Sequence, residues 1–131
     1  MKLGAHVSGS GGLPKAIDRA QEMGAETIQI FVSSPQGWAF KPIPDDQAQA
    51  FRQKAEATGI SPTFLHGIYL VNVGSTSPEN LAKSIQALVN YMNVAHQIGA
   101  AGVIFHSGSH KGVGFDGVLP QVASVLQEVL R

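Results

Sequence analysis

Short apolar runs alternate along this chain with longer stretches in which apolar residues recur every three or four positions. The first kind of pattern suits a buried strand, the second one face of a helix. Four runs read as strands: Lys2 to Val7, Thr27 to Val32, Pro62 to Leu65 and Gly102 to Phe105. Between and after them come four helical stripes. Leu13, Ile17, Ala20 and Met23 make the first, and Ala48, Phe51 and Ala55 the second. Leu81, Ile85, Leu88, Met92 and Ala95, spaced four, three, four and three apart, make the longest. Val118, Val122, Val125 and Val129 make the last. Punctuation agrees with these boundaries: Gly24, Gly59 and Gly99 follow the first three stripes as helix stops. Asp45 or Asp46 is expected to cap the second helix, and Ser77-Pro78 supplies a cap followed by proline at the first helical position. Pro120 is expected in the first turn of the last helix, where no backbone donor is needed.

The order is therefore β-α-β-α-β-α-β-α, an α/β chain. Crossovers of that length require parallel strands joined with right-handed geometry. Two architectures fit: a doubly wound sheet, or four βα units forming half of a (β/α)8 TIM-type barrel. At 131 residues, 44% hydrophobic and 14% charged, the chain is expected to fold as a single domain over residues 1–131. Formal net charge is zero, so an anionic partner must be held by local geometry, a bound metal or helix N-termini. The absence of cysteine removes disulfides, thiolate zinc sites and cysteine nucleophiles. No apolar run approaches the roughly 18 residues of a membrane span, and no basic-then-apolar leader opens the chain, so no membrane partner and a cytoplasmic location are expected.

Candidate chemistry gathers where strands end. His6, His66 and His106 each close a predicted strand and lead into a loop, the place where parallel α/β folds present functional side chains. His66 and His106 could share one cation, since zinc takes neutral imidazole nitrogen readily; each could equally cap its strand by bonding to loop backbone. His6, at the matching point of the first strand, reads equally as a metal ligand or as a group supporting a ligand or touching substrate. His110 sits in the loop after His106, where bracing that loop is the simpler duty, and His96 lies beside the apolar stripe of the long helix, where packing at the helix edge is expected. Ser8-Gly9-Ser10-Gly11-Gly12 precedes a helix and could cradle phosphate or merely make a tight turn. Tyr69-Leu70 could wedge into stacked bases or anchor its own loop. The stretch from Ser33 to Pro44 is stiffened by prolines and carries Trp38 and Phe40, which can press on a partner or on the body of the fold.

Several of these stretches together resemble the amino-terminal half of the endonuclease IV family. They are Gly4-Ala5-His6-Val7-Ser8 with Gly11-Gly12-Leu13, Gln29-Ile30-Phe31 with Trp38, His66 through Gly74, and Phe105-His106-Ser107-Gly108-Ser109-His110. The resemblance implies a xylose-isomerase-like (β/α)8 barrel and zinc-dependent hydrolysis of the phosphodiester 5′ to abasic sites in DNA during base excision repair. By the same resemblance His66 and His106 match two zinc-binding histidines, and His6 matches a histidine of the first strand near the active site; His110 is kept beside His6 as a candidate for supporting a ligand or contacting substrate. Tyr69 and Leu70 match a loop that enters the minor groove at the lesion, with Gln36 and Trp38 in a neighbouring DNA-contacting loop. That neighbouring loop usually carries basic residues in the family, whereas Val32 to Gly37 has no charge.

The family takes its remaining metal ligands, carboxylates and further histidines, from the second half of the barrel. This chain is therefore expected to be a half-barrel that pairs with a second copy or with a complementary half, and to be inactive alone. The competing expectations are a non-catalytic assembly unit and a piece of a sugar isomerase or epimerase barrel.

Overall fold

The computed structural model describes residues 1–131. Strands β1 (Gly4–His6), β2 (Thr27–Ile30), β3 (Thr63–His66) and β4 (Gly102–Ile104) alternate with helices α1 (Pro14–Met23), α2 (Asp45–Thr58), α3 (Pro78–Ile98) and α4 (Phe115–Val129). The strands pair in parallel and in chain order, β1-β2-β3-β4. Sequential order decides between the two architectures. Right-handed crossovers that never reverse direction lay every helix on the same side of the sheet, whereas a doubly wound sheet needs a reversal and helices on both sides. Consecutive helices pack against one another accordingly, α1 on α2, α2 on α3 and α3 on α4. The result is half of a TIM barrel.

Strand alternation then splits the sheet into two unlike faces. Ile28, Ile30, Thr63 and Leu65 point toward the helices and are buried. They meet Ala16, Ile17 and Ala20 of α1, Phe51 of α2, and Leu88 and Tyr91 of α3 in one continuous core. Burying each large aliphatic side chain there contributes about 1.5–3 kcal/mol. The register places Gly4 beside Thr27, His6 beside Gln29, Phe64 beside Gly102 and His66 beside Ile104. These residues share the opposite face, which no helix covers, and Ile104 on it is 46% exposed.

Most helix boundaries follow the expected residues. Gly24, Gly59 and Gly99 adopt the left-handed conformation at the three helix ends. Ser77 Oγ accepts the Asn80 N–H, and Pro78 opens α3. Four expectations need correction. Neither Asp45 nor Asp46 caps α2: Pro44 holds the cap position, and both carboxylates lie in the first turn, where the helix dipole favours them. Pro120 lies beyond the first turn of α4, because the helix begins at Phe115 directly after Gly114. Asp116 and Pro120 are both exposed, so water can satisfy the Asp116 carbonyl that the proline ring leaves without a donor. Met23 and His96 are exposed rather than packed, since each lies at the solvent edge of its helix.

Candidate active site

Parallel strands in register bring their carboxyl ends to one rim, and three histidines meet there. The His66 and His106 rings lie 5.2 Å apart between centroids, and His6 lies 6.2 Å from His66. Phe31, the first residue after β2, fills the gap at 4.8 Å from His6 and 5.1 Å from His66. Tyr69 closes the group from the β3–α3 loop, 5.9 Å from His66 and 6.4 Å from His106. At Gly67 a backbone bond to the Ile104 carbonyl (2.7 Å) carries the β3–β4 ladder up to this rim, so His66 and His106 sit on a shared, hydrogen-bonded base.

Hydrogen bonds assign different tautomers to these rings. His66 Nδ1 lies 2.7 Å from the Gly67 carbonyl oxygen. A carbonyl can only accept, so Nδ1 carries the proton and the Nε2 lone pair is open to a cation. His6 shows the reverse arrangement: Gln29 Nε2 donates to His6 Nδ1 at 3.1 Å, which leaves the proton on Nε2 as a donor. Burial, and secondarily the neighbouring His66, hold the His6 imidazole below its ordinary pKa, favouring the neutral ring. His110 turns its Nδ1 inward to its own loop, accepting from Gly112 N–H at 3.1 Å and Gly114 N–H at 3.2 Å. It braces the loop after His106 and does not join the ring cluster.

These residues fit zinc in part. Imidazole nitrogens at this separation suit two positions of a tetrahedral site. His6, with its Nδ1 taken up by Gln29, does not complete the pair, and no three histidine, cysteine or carboxylate side chains in the chain are arranged to hold a metal ion together.

Around the rim, exposure sorts the loop residues. Tyr69 and Leu70 are 56% and 39% exposed, although the Tyr69 N–H is fixed to the Pro35 carbonyl at 2.8 Å. Gln36 is exposed. Trp38 is half-buried against the core, bordering a small cleft with Phe40, Ile68 and Tyr91. The Tyr91 hydroxyl is 2.9 Å from Ser33 Oγ, and burial pushes its pKa up. Beside His6 a cavity of about 840 Å³ opens between the Ser8–Gly12 turn and the Ser33–Pro44 loop, with Lys41 as its cation. The turn satisfies itself: Ser8 Oγ accepts the Ser10 N–H at 3.1 Å, and Arg19 reaches back to the Ser8 carbonyl at 2.7 Å instead of facing the cavity.

Two residues absent from the sequence-based candidates help build the rim. Gln29 sets the His6 tautomer, and its place opposite His6 in an adjacent strand is a signal that pairing the strands would have exposed. Asn72 joins the loops after β3 and β4 across 37 residues, a separation that no local pattern reveals.

Comparison with known proteins adds a family. Residues 17–131 match the family described as xylose isomerase-like TIM barrel. The probable endonuclease 4 of Persephonella marina is 35% identical over 129 residues, covering 98% of this chain and 45% of that protein. The probable endonuclease 4 of Halobacterium salinarum is 38% identical over 129 residues, covering 98% and 47%. The crystal structure of endonuclease IV from Thermus thermophilus superposes with a TM-score of 0.89 at 31% identity, covering all of this chain and 46% of the other. The chain thus spans about half the length of the relatives it matches.

Proposed function

The chain belongs to the xylose isomerase-like TIM barrel family, and we propose that it acts as the amino-terminal half of an endonuclease IV-type DNA repair enzyme. The observation that carries this reading is the convergence of His66, His106 and the exposed Tyr69-Leu70 pair on one rim, in a chain 31% identical to a solved endonuclease IV. In this reading His66 and His106 hold zinc through imidazole nitrogens. Bound zinc supplies Lewis-acid polarisation of the phosphodiester and neutralises charge on the attacking and leaving oxygens. The Nε2–H of His6 is placed to donate to a phosphate oxygen or to water. Tyr69 and Leu70 enter the minor groove and replace the stacking lost at an abasic nucleotide, which itself leaves the helix. Gln36 contacts the flanking strand, while Trp38 stiffens the loop from inside. His110 holds the shape of the loop after His106.

Catalysis in this reading requires the missing ligands, so the chain alone binds abasic DNA without cutting it. The uncovered sheet face and the two edge strands, β1 and β4, favour pairing with a complementary half-barrel or with a second copy. No helix of the chain is long and apolar enough to cross a membrane.

Fluorescence anisotropy with duplexes that differ only in one abasic position tests the reading. The chain is expected to prefer the abasic duplex, and the double variant Tyr69→Ala, Leu70→Ala is expected to lose that preference. Equal affinity for intact and abasic duplexes in the unaltered chain would contradict it.

A further inference from the structure

Beyond the Gly67–Ile104 bond at the rim, no backbone hydrogen bond joins the loop after β3 to the loop after β4 that carries His106. One side chain spans them. Asn72, in the loop after β3, donates from Nδ2 to the Ser109 carbonyl at 3.0 Å, and its Oδ1 accepts the Ser109 N–H at 3.0 Å. The same Oδ1 also accepts the Gly74 N–H at 3.0 Å, closing its own turn. The amide thus pairs with Ser109 as a second backbone would, one donor and one acceptor facing their complements.

The Asn72 end of this bridge is anchored from two helices. The Asn72 N–H donates to Ser84 Oγ at 3.0 Å, and the fully buried Ser84 donates on to the Asn80 carbonyl at 2.7 Å, which ties the loop to α3. Gln121 of α4 holds the same loop, donating from Nε2 to the Val73 and Ser75 carbonyls at 2.9 and 3.0 Å. Gly108 completes the fit. A Cβ at that position would overlap Asn72 Oδ1, and the backbone there has φ of +89°, so glycine alone lets the loop after His106 approach.

We propose that Asn72 is a positioning residue that locks the loop bearing His106 to the loop bearing Tyr69 and Leu70, setting the imidazole pair before any metal binds. Its relevance to zinc rests on the functional reading above; the lock itself does not. A side chain with three bonds at 3.0 Å outweighs one loop contact, because losing it frees two backbone N–H groups and a carbonyl at once.

The test uses the metal-free chain. Amide hydrogen exchange at Ser109 and Gly74 is expected to be slow, and a ring-to-ring nuclear Overhauser contact between His66 and His106 is expected to be present. Asn72→Ala should speed exchange at both amides at least about tenfold and abolish the ring contact, with exchange at Leu65 and Ile98 unchanged. Gly108→Ala should reproduce the Ser109 effect from the opposite side. Asn72→Asp keeps both acceptor bonds and loses only the donor, so it should retain protection at Gly74 and restore part of that at Ser109. Unchanged exchange at Ser109 in Asn72→Ala, or an intact ring contact in both Asn72→Ala and Gly108→Ala, would overturn the proposal. Zinc titration then separates the two claims: zinc uptake that is unchanged in both His66→Ala and His106→Ala would sink the metal reading, whereas the exchange and ring-contact results decide the lock independently.

Discussion

The two faces of the sheet are made from alternate residues of the same strands, yet they do opposite work. On β2 and β3 the residues pointing to the helices are Ile28, Ile30, Thr63 and Leu65, all buried. Their neighbours one position along, Gln29, Phe64 and His66, are only partly buried on a face without a covering layer. One face holds the chain together. The other carries His6 and His66 and is left uncovered. Period-two alternation therefore lets stability and function vary separately at adjacent positions.

The largest expected effect breaks this contrast on the helix side. Leu65→Ala removes a fully buried side chain and should cost about 2–5 kcal/mol in urea or guanidinium unfolding. Ile104→Ser, on the open face, should change the same measurement by no more than about 0.5 kcal/mol while the chain is alone. Comparable costs for both would mean that the open face is already covered, by self-association or by rearrangement. Tyr91→Phe sits between these extremes. It keeps the packing but removes the hydroxyl beside Ser33 Oγ, and should cost about 1 kcal/mol, read from the same unfolding curves.

The smallest effect concerns pH. The folded His6 pKa lies below the ordinary histidine value of about 6.5, so between the two the unfolded chain binds more protons than the folded one. This contribution to stability is present above the ordinary value and is lost as pH falls through the folded one. Denaturation midpoints from pH 7.5 downward should therefore drop less in His6→Gln than in the unaltered chain. Identical pH profiles would remove burial of His6 from the account.

How far the sequence reveals this molecule depends on the range of the interaction concerned. Strand and helix order were legible because Thr27 to Val32 and the Leu81-to-Ala95 stripe declare their periods within a few residues. The strand-end histidines were legible for the same reason, and the chain-order sheet brings His6, His66 and His106 together. The start of α4 was not, since Gly114 and Phe115 carry no conventional cap and the apolar stripe begins only at Val118. Nor were the roles of Asn72, Gln121 and Trp38. Asn72 and Gln121 bond to residues 37 to 48 positions away, and whether Trp38 faces outward depends on a cleft built by Ile68 and Tyr91 from later elements.

The central claim is that His66 and His106 together hold one zinc ion at the rim, with the remaining ligands supplied from outside the chain. Zinc content per chain, measured by elemental analysis after zinc loading and exhaustive buffer exchange and paired with solution mass by light scattering, tests it most directly. Zinc retained in the unaltered protein and lost separately in His66→Ala and in His106→Ala is the predicted result. Zinc content unchanged in both variants would contradict it.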